Sequence, residues 1–364
     1  MKKKIYNLLI MSVMAITAMA ETVQVTSPDG RLAVDVTLND GRLSYAVSYD
    51  NNEMIQSSAL GVRTEMGDFT QALVLKDVRR STVDETYTMR TAKSSLNHYV
   101  ANKIEIDLTS ASKYKRIMTF TMQVSNNDIA FKYDFSGAET TFRDEPRRTT
   151  VYGEATSFCL PATTTTFICP QTTGDHYGWM STKPSYEEEY VADDVMNKPS
   201  RFGKGYTFPC LFRVADKGWV LISETGVGSN YCGSHLSDYK EGAGYTIAYP
   251  DETENHGLGS ALPAIMLPGG TPWRTITVGA SLEPVVETTI AYDVVKPLYE
   301  PKEEYKPGRY TWSWLIWQDN SVNYDDQVSF INTAAAMGYE YCLVDGCWDT
   351  QIGRERIEEL SKYA

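Results

Sequence analysis

The sequence predicts a large antiparallel β-sandwich followed by the first two βα units of a (β/α)8 barrel, truncated. Three observations carry this. From Thr22 onward apolar residues recur with period two between turn signals, the mark of half-buried strands. At residues 297–308, PLYEPKEEYKPG, three prolines and five charges interrupt the pattern as an extended linker would. Beyond it, strand and helix patterns alternate.

Residues 1–20 stand apart. Lys2, Lys3 and Lys4 precede a mostly apolar run from Leu8 to Ile16, and Ala18-Met19-Ala20 offers the small residues a signal peptidase accepts. The run is short for a bilayer span, and no Cys follows it to take a lipid. Export to the periplasm, with no membrane anchor after cleavage, is the expectation. The formal net charge of −13 becomes about −16 once three lysines and no acid leave with the leader. So acidic a chain repels phosphate backbones and excludes nucleic acid as a partner, while neutral ligands and cations suit it. Its length exceeds one ordinary domain.

The sandwich is expected over 21–296. Val23 and Val25 open it, and Pro28-Asp29-Gly30 turns into Leu32, Val34, Val36 and Leu38. Asn39-Asp40-Gly41 reverses into Leu43, Tyr45, Val47 and Tyr49, a hairpin signal because such pairs tolerate positive φ. Asp50-Asn51-Asn52 reads as the next turn. Alternation continues through Ile104, Ile106 and Leu108, then Ile117, Thr119 and Thr121, then Ile129 to Phe135. Trp219, Leu221 and Ser223, and later Ile276 and Val278, mark further strands. No helical stripe of length precedes Pro297.

The barrel portion is expected over 309–364. RYTWSWLIWQ is an aromatic strand, and in YDDQVSFINTAAAMG the residues Val328, Ile331 and Ala335 share a helical face, with Gly338 at its C-terminal stop. Asp325 or Asp326 favours the helix start through the dipole. YEYCLVD reads as a strand covered on both faces, and Arg354 to Tyr363 as a second helix with Ile357, Leu360 and Ala364 inward. A closed barrel takes about 250 residues, so these two units are an incomplete one with an exposed apolar edge, and poor solubility is expected.

Six cysteines include no CxxC pair, and the four histidines, His98, His176, His235 and His256, have no metal or triad spacing. Gly226-Val227-Gly228 is a turn and not a phosphate loop, and Glu154 reads by default as an exposed strand glutamate, with an interface-facing position as the alternative. Two clusters carry chemistry. SYEEEYVADD places Glu187, Glu188, Glu189, Asp193 and Asp194 within eight positions; this is either a solvated acidic loop or oxygen ligation for a hard cation. At the C-terminal ends of the two barrel strands, where barrel enzymes place their sites, lie Trp312 and Trp314, and Asp345, Trp348 and Asp349. Aromatic faces pack on sugar rings and carboxylates accept hydrogen bonds from hydroxyls, so these five are the candidate saccharide contacts, against a reading in which the tryptophans are core. Asp345 and Asp349 could meet the spacing of a glycosidase pair by chance alone.

The opening SPDGRLAVDVTLNDGRLSYAVSYDN with SSALGV, then EATSFCLP, SYEEEY, TPWRTITVG, YKPGRYTWSW and AAAMGYEYCLVDGCWD, in that order, resemble glycoside hydrolase family 97. The resemblance implies an exported, calcium-dependent glycosidase acting on oligosaccharides with α-linked glucose or galactose, built from an N-terminal sandwich and a catalytic barrel. It implies that Glu187, first glutamate of Tyr186-Glu187-Glu188-Glu189-Tyr190, ligates Ca²⁺. It also implies catalytic carboxylates on later barrel strands, so none is expected in this chain. The competing expectation is a carbohydrate-binding β-sandwich without hydrolytic activity.

Overall fold

A computed structural model describes residues 20–90, 92–110, 117–135, 148–173, 188–299 and 302–364. The chain divides into two compact units between Lys296 and Pro297.

In the first unit, strands Glu21–Thr26, Leu32–Asn39, Arg42–Tyr49 and Asn52–Leu60 form an antiparallel meander. Its turns follow from local chemistry. Asn39 pairs with Arg42 across Asp40 and Gly41, whose φ values are 53° and 68°. A Cβ on Gly41 would also meet Ala72 Cα at 2.9 Å, so the position requires glycine twice over. Asp50 and Asn51 repeat the positive-φ pair at 50° and 64°. Val34, Val36, Leu43, Tyr45 and Val47 all turn inward.

A ten-stranded antiparallel sheet faces the meander. From one edge it runs through Asp194–Val195, Thr164–Phe167, Cys210–Val214, Gly218–Thr225 and Trp273–Gly279. It continues through Asp128–Phe135, Ile117–Val124 and Leu96–Thr109 to Val74–Thr88, with Gly269–Gly270 pairing beside Asp128–Phe135. The buried side chains of both sheets join in one hydrophobic core, so this part is a sandwich. Tyr45 meets Phe131 across it at 5.6 Å between ring centroids. Smaller sheets complete the unit, one of them ordering Ala264–Met266, Arg148–Glu154, Val62–Thr64 and Gly67–Asp68. The inward series on two strands is Met118, Phe120, Met122 and Val220, Ile222; on the alternate positions Ile117 is exposed, Thr119 and the Trp219 series are half-buried, and Thr121 is buried. Two one-turn helices, Glu283–Glu287 and Ile290–Asp293, precede Pro297. They are too short to leave a periodic stripe in the sequence.

The second unit holds parallel strands Tyr310–Trp312 and Tyr341–Leu343, joined through helix Tyr324–Met337. Asn323, and not an aspartate, is the N-cap: its side chain accepts from Asp326 N at 3.0 Å, with Asp325 and Asp326 in the first turn. Gly338 ends the helix at φ 65°. Gln327 and Ala334 are the buried helical positions, whereas Ala335 is exposed. Val322, Ile352 and Leu360 form the unit's small core, with Val328, Ile331, Trp348 and Ile357 packed on it and Ala364 exposed. Among the described residues this is a βαβα arrangement and not a closed barrel. Tyr341 and Leu343, on one face of that strand, stay 46% and 40% exposed while Cys342 and Val344 on the other are half-buried, so the expected cover on both faces is found on one only. No described helix is long and apolar enough to cross a membrane.

Candidate functional site

Three of the five predicted saccharide contacts gather at the ends of the two parallel strands. Trp312 closes the first strand, and its indole N–H donates to Asp345 Oδ2 at 2.9 Å, just beyond the second strand. Asp345 Oδ1 accepts from the Gly346 amide at 2.7 Å. Trp314 stacks on Trp312 with centroids 5.6 Å apart and planes inclined by 18°. Its own N–H donates to Asp319 Oδ1 at 2.8 Å. Both rings are half-buried.

The residue between them explains the stacking. Ser313 is fully buried and accepts from Gln327 Nε2 at 2.8 Å, while Ser321 Oγ bonds it at 2.8 Å. Gln327 Nε2 also donates to the Ser321 carbonyl at 2.7 Å. Helix Tyr324–Met337 therefore grips the strand end through a neutral polar pin, and the chain passes directly into the turn Trp314–Trp317. With both N–H groups committed to carboxylates, the ring orientations are fixed. Such a pair offers an aromatic wall beside a carboxylate, the chemistry that holds a sugar ring by its apolar face and a hydroxyl.

The other two candidates separate from this group. Trp348 opens the turn Trp348–Gln351 and packs on the Val322, Ile352 and Leu360 core, which is the structural role weighed against sugar contact. Asp349 is exposed in that turn.

Glu187 lies outside the described residues. Beside it, Glu188 is anchored at Cys169: its amide donates to the Cys169 sulfur at 3.3 Å. At the end of the acidic run Asp194 is ion-paired with Lys198 and Asp193 with Arg213, and the Thr165 hydroxyl donates to Asp193. Among the described residues no cluster of three or more His, Cys, Asp or Glu is placed to hold a metal ion. His98 pairs with Asp84 at the surface, and burial lowers the pKa of His235; His176 and the His256 side chain lie outside the described set.

Sequence reasoning missed a buried charge network. Glu154 is no exposed strand residue: its side chain is fully enclosed, as is that of Arg274, and the two pair directly. Arg274 also pairs with Glu224 on the adjacent strand, in direct register. The Tyr231 and Tyr249 hydroxyls each reach Glu154 Oε1 at 3.1 Å, and Ser234 Oγ donates to Glu224 at 2.6 Å. A signal existed: Arg274 shares the parity of inward Ile276 and Val278, and Glu224 that of Val220 and Ile222. A charge within an inward series demands a buried partner.

Residues 25–297 match the sequence family described as Glycosyl-hydrolase 97 N-terminal. A solved β-arabinopyranosidase is 48% identical with a TM-score of 0.86, over 94% of this chain and 53% of that one. A glycoside hydrolase family 97 enzyme from Pseudoalteromonas sp. strain K8, solved with panose, shares the fold at 17% identity and a TM-score of 0.74, over 94% of this chain and 52% of its own. A probable retaining α-galactosidase from Streptomyces bingchenggensis is 24% identical over 327 residues, 89% of this chain and 45% of its own. The chain thus spans about half the length of these relatives.

Proposed function

The chain belongs to glycoside hydrolase family 97, whose N-terminal domain its residues 25–297 match, and we propose that it is the N-terminal portion of an exported hydrolase of galactose-configured pyranosides. The observation that carries the substrate class is the 48% identity to a β-arabinopyranosidase over 94% of this chain. An L-series β-arabinopyranoside has the ring stereochemistry of an α-galactoside and lacks only the C5 hydroxymethyl group. The likeness to a probable α-galactosidase therefore supports the same ring configuration.

On this reading the Trp312–Trp314 pair packs against the apolar face of the sugar, and Asp345, oriented by the Trp312 indole, accepts a ring hydroxyl. The carboxylates that cleave the glycosidic bond are assigned, on the family resemblance, to chain beyond Ala364. Asp345 and Asp349 are not assigned as that pair, because the family resemblance places the cleaving carboxylates on later barrel strands. The 364-residue chain alone is accordingly assigned no turnover. Calcium is assigned on the same resemblance, with Glu187 as one ligand; it would supply a positive charge beside the substrate oxygens. The described residues do not by themselves assemble a site for it, and no step is derived through the ion.

The test compares kcat/KM of the longer gene product on p-nitrophenyl β-L-arabinopyranoside, α-D-galactopyranoside and α-D-glucopyranoside. Preference for the first two by roughly tenfold or more supports the assignment. A clear preference for the glucoside ends it. The same assay on the 364-residue chain should give no turnover.

A further inference from the structure

We propose that the cleft between the sandwich rim at Arg31, Tyr49 and Asn127 and the helix Glu283–Glu287 is a second binding site, taking a neutral saccharide of one or two rings. The cleft encloses about 480 Å³, within the range of small-ligand sites, and lies wholly inside the first unit. Its hydrogen-bonding groups are mostly acceptors left without partners among the described residues. Asp128, 8% exposed, takes the hydroxyls of Thr277 and Thr288 on Oδ1 alone, so Oδ2 has no donor. Asn127 commits Nδ2 to the Val278 carbonyl at 2.8 Å and the Tyr49 hydroxyl at 3.3 Å, which leaves Oδ1 open. Glu283 and Glu287 are exposed on the helix side and form no ion pair among the described residues.

One donor is fixed opposite them. Arg31 lies over the Tyr49 ring, 4.7 Å from its centroid, and gives Nε and Nη2 to Asp50 at 2.9 and 2.6 Å. Its Nη1 stays unbonded among the described residues.

These groups select by chemistry. Three carboxylates repel an anion, and an ammonium carries no acceptor for the open Arg31 Nη1 donor. Among the described residues no three carboxylates converge closely enough for a bare cation. A polyol satisfies the set, because each hydroxyl can donate to a carboxylate while its oxygen accepts from Arg31. This site does not depend on the hydrolytic reading, since it shares no residue with the Trp312–Trp314 pair.

The experiment is calorimetric titration and saturation-transfer NMR of the 364-residue protein with arabinose, galactose and maltose. Two variants accompany the wild type: Glu283→Ala/Glu287→Ala, at exposed helix positions where folding is not at stake, and Trp312→Ala/Trp314→Ala. Binding that survives the tryptophan substitutions and weakens roughly tenfold or more in the glutamate variant is expected. Three results overturn the proposal. One is no saccharide signal up to about 50 mM; another is binding indifferent to the two glutamates; the third is capture of methylammonium in preference to the neutral sugars.

Discussion

The Arg274 guanidinium and the Glu154 carboxylate form an ion pair in which neither side chain reaches solvent. Glu154 ends a strand of one sheet and Arg274 lies in the ten-stranded sheet, so the pair ties two sheets together. Glu224 takes the other end of the guanidinium, leaving two carboxylates against one cation. Removing the arginine therefore strands two buried negative groups, whereas removing one glutamate leaves Arg274 still paired. Arg274→Met is expected to destabilise the protein by about 3–5 kcal/mol, and Glu154→Gln by clearly less. Urea unfolding of the two variants checks this; the opposite ranking would refute the account.

Asp128 sets a pH dependence. Burial pushes its carboxyl up to about 6, even though the Thr277 and Thr288 hydroxyls favour the ionised form. The nearby Asp293 acts in the same direction and Lys93 in the opposite one. Between pH 4 and 6 the native state holds this proton and the unfolded chain does not, so stability falls as pH rises through that window. A shift of this size corresponds to about 3 kcal/mol. Carboxylates held low, such as Asp107 beside Arg79, act instead below their ordinary range and do not mask the effect. Asp128→Asn keeps an acceptor for both threonines and removes the charge. Its urea midpoint should exceed that of wild type at pH 7.5, and the difference should shrink toward pH 5. A constant difference across that range would count against the assignment.

Local signals in the sequence were reliable where backbone chemistry alone decides. Asp40-Gly41 and Asp50-Asn51 turn where their tolerance of positive φ allows, and Gly338 stops its helix for the same reason. The parallel pairing of 310–312 with 341–343 follows from the strand-helix-strand order. Phase was less legible. Met118, Phe120 and Met122 face the core although Ile117, Thr119 and Thr121 alternate equally well, because threonine suits either face of a sheet. The helix turned Ala334 inward and left Ala335 out, since three consecutive alanines carry no direction. Glu154 and Arg274, 120 residues apart, meet only through the tertiary fold. Trp312, Trp314 and Asp345 were nominated by strand ends, but the same argument nominated Trp348, which packs on the core.

The proposed calcium site is tested at Glu187, the ligand that the family resemblance implies. Exhaustive chelation of the longer gene product should abolish hydrolysis, and added Ca²⁺ should restore it. Glu187→Gln keeps the shape and lowers the charge of one ligand, so the calcium dissociation constant should rise roughly tenfold or more by calorimetry. Calcium affinity unchanged by that substitution removes Glu187 from the site.

The two classes of tryptophan give a last contrast. Trp314 is held by one neighbouring ring and by the Asp319 carboxylate, and it packs in no described hydrophobic cluster. If it contacts sugar in both ground and transition states, Trp314→Ala raises KM roughly tenfold while kcat changes little. Trp348 instead covers Val322, Ile352 and Leu360, so Trp348→Ala opens a cavity in a very small core and should cost about 3 kcal/mol of stability. Steady-state kinetics and thermal unfolding of both variants in the longer gene product separate the roles. A Trp314→Ala enzyme with unchanged KM, or a Trp348→Ala enzyme that unfolds like wild type yet binds substrate poorly, reverses the assignment of the aromatic wall.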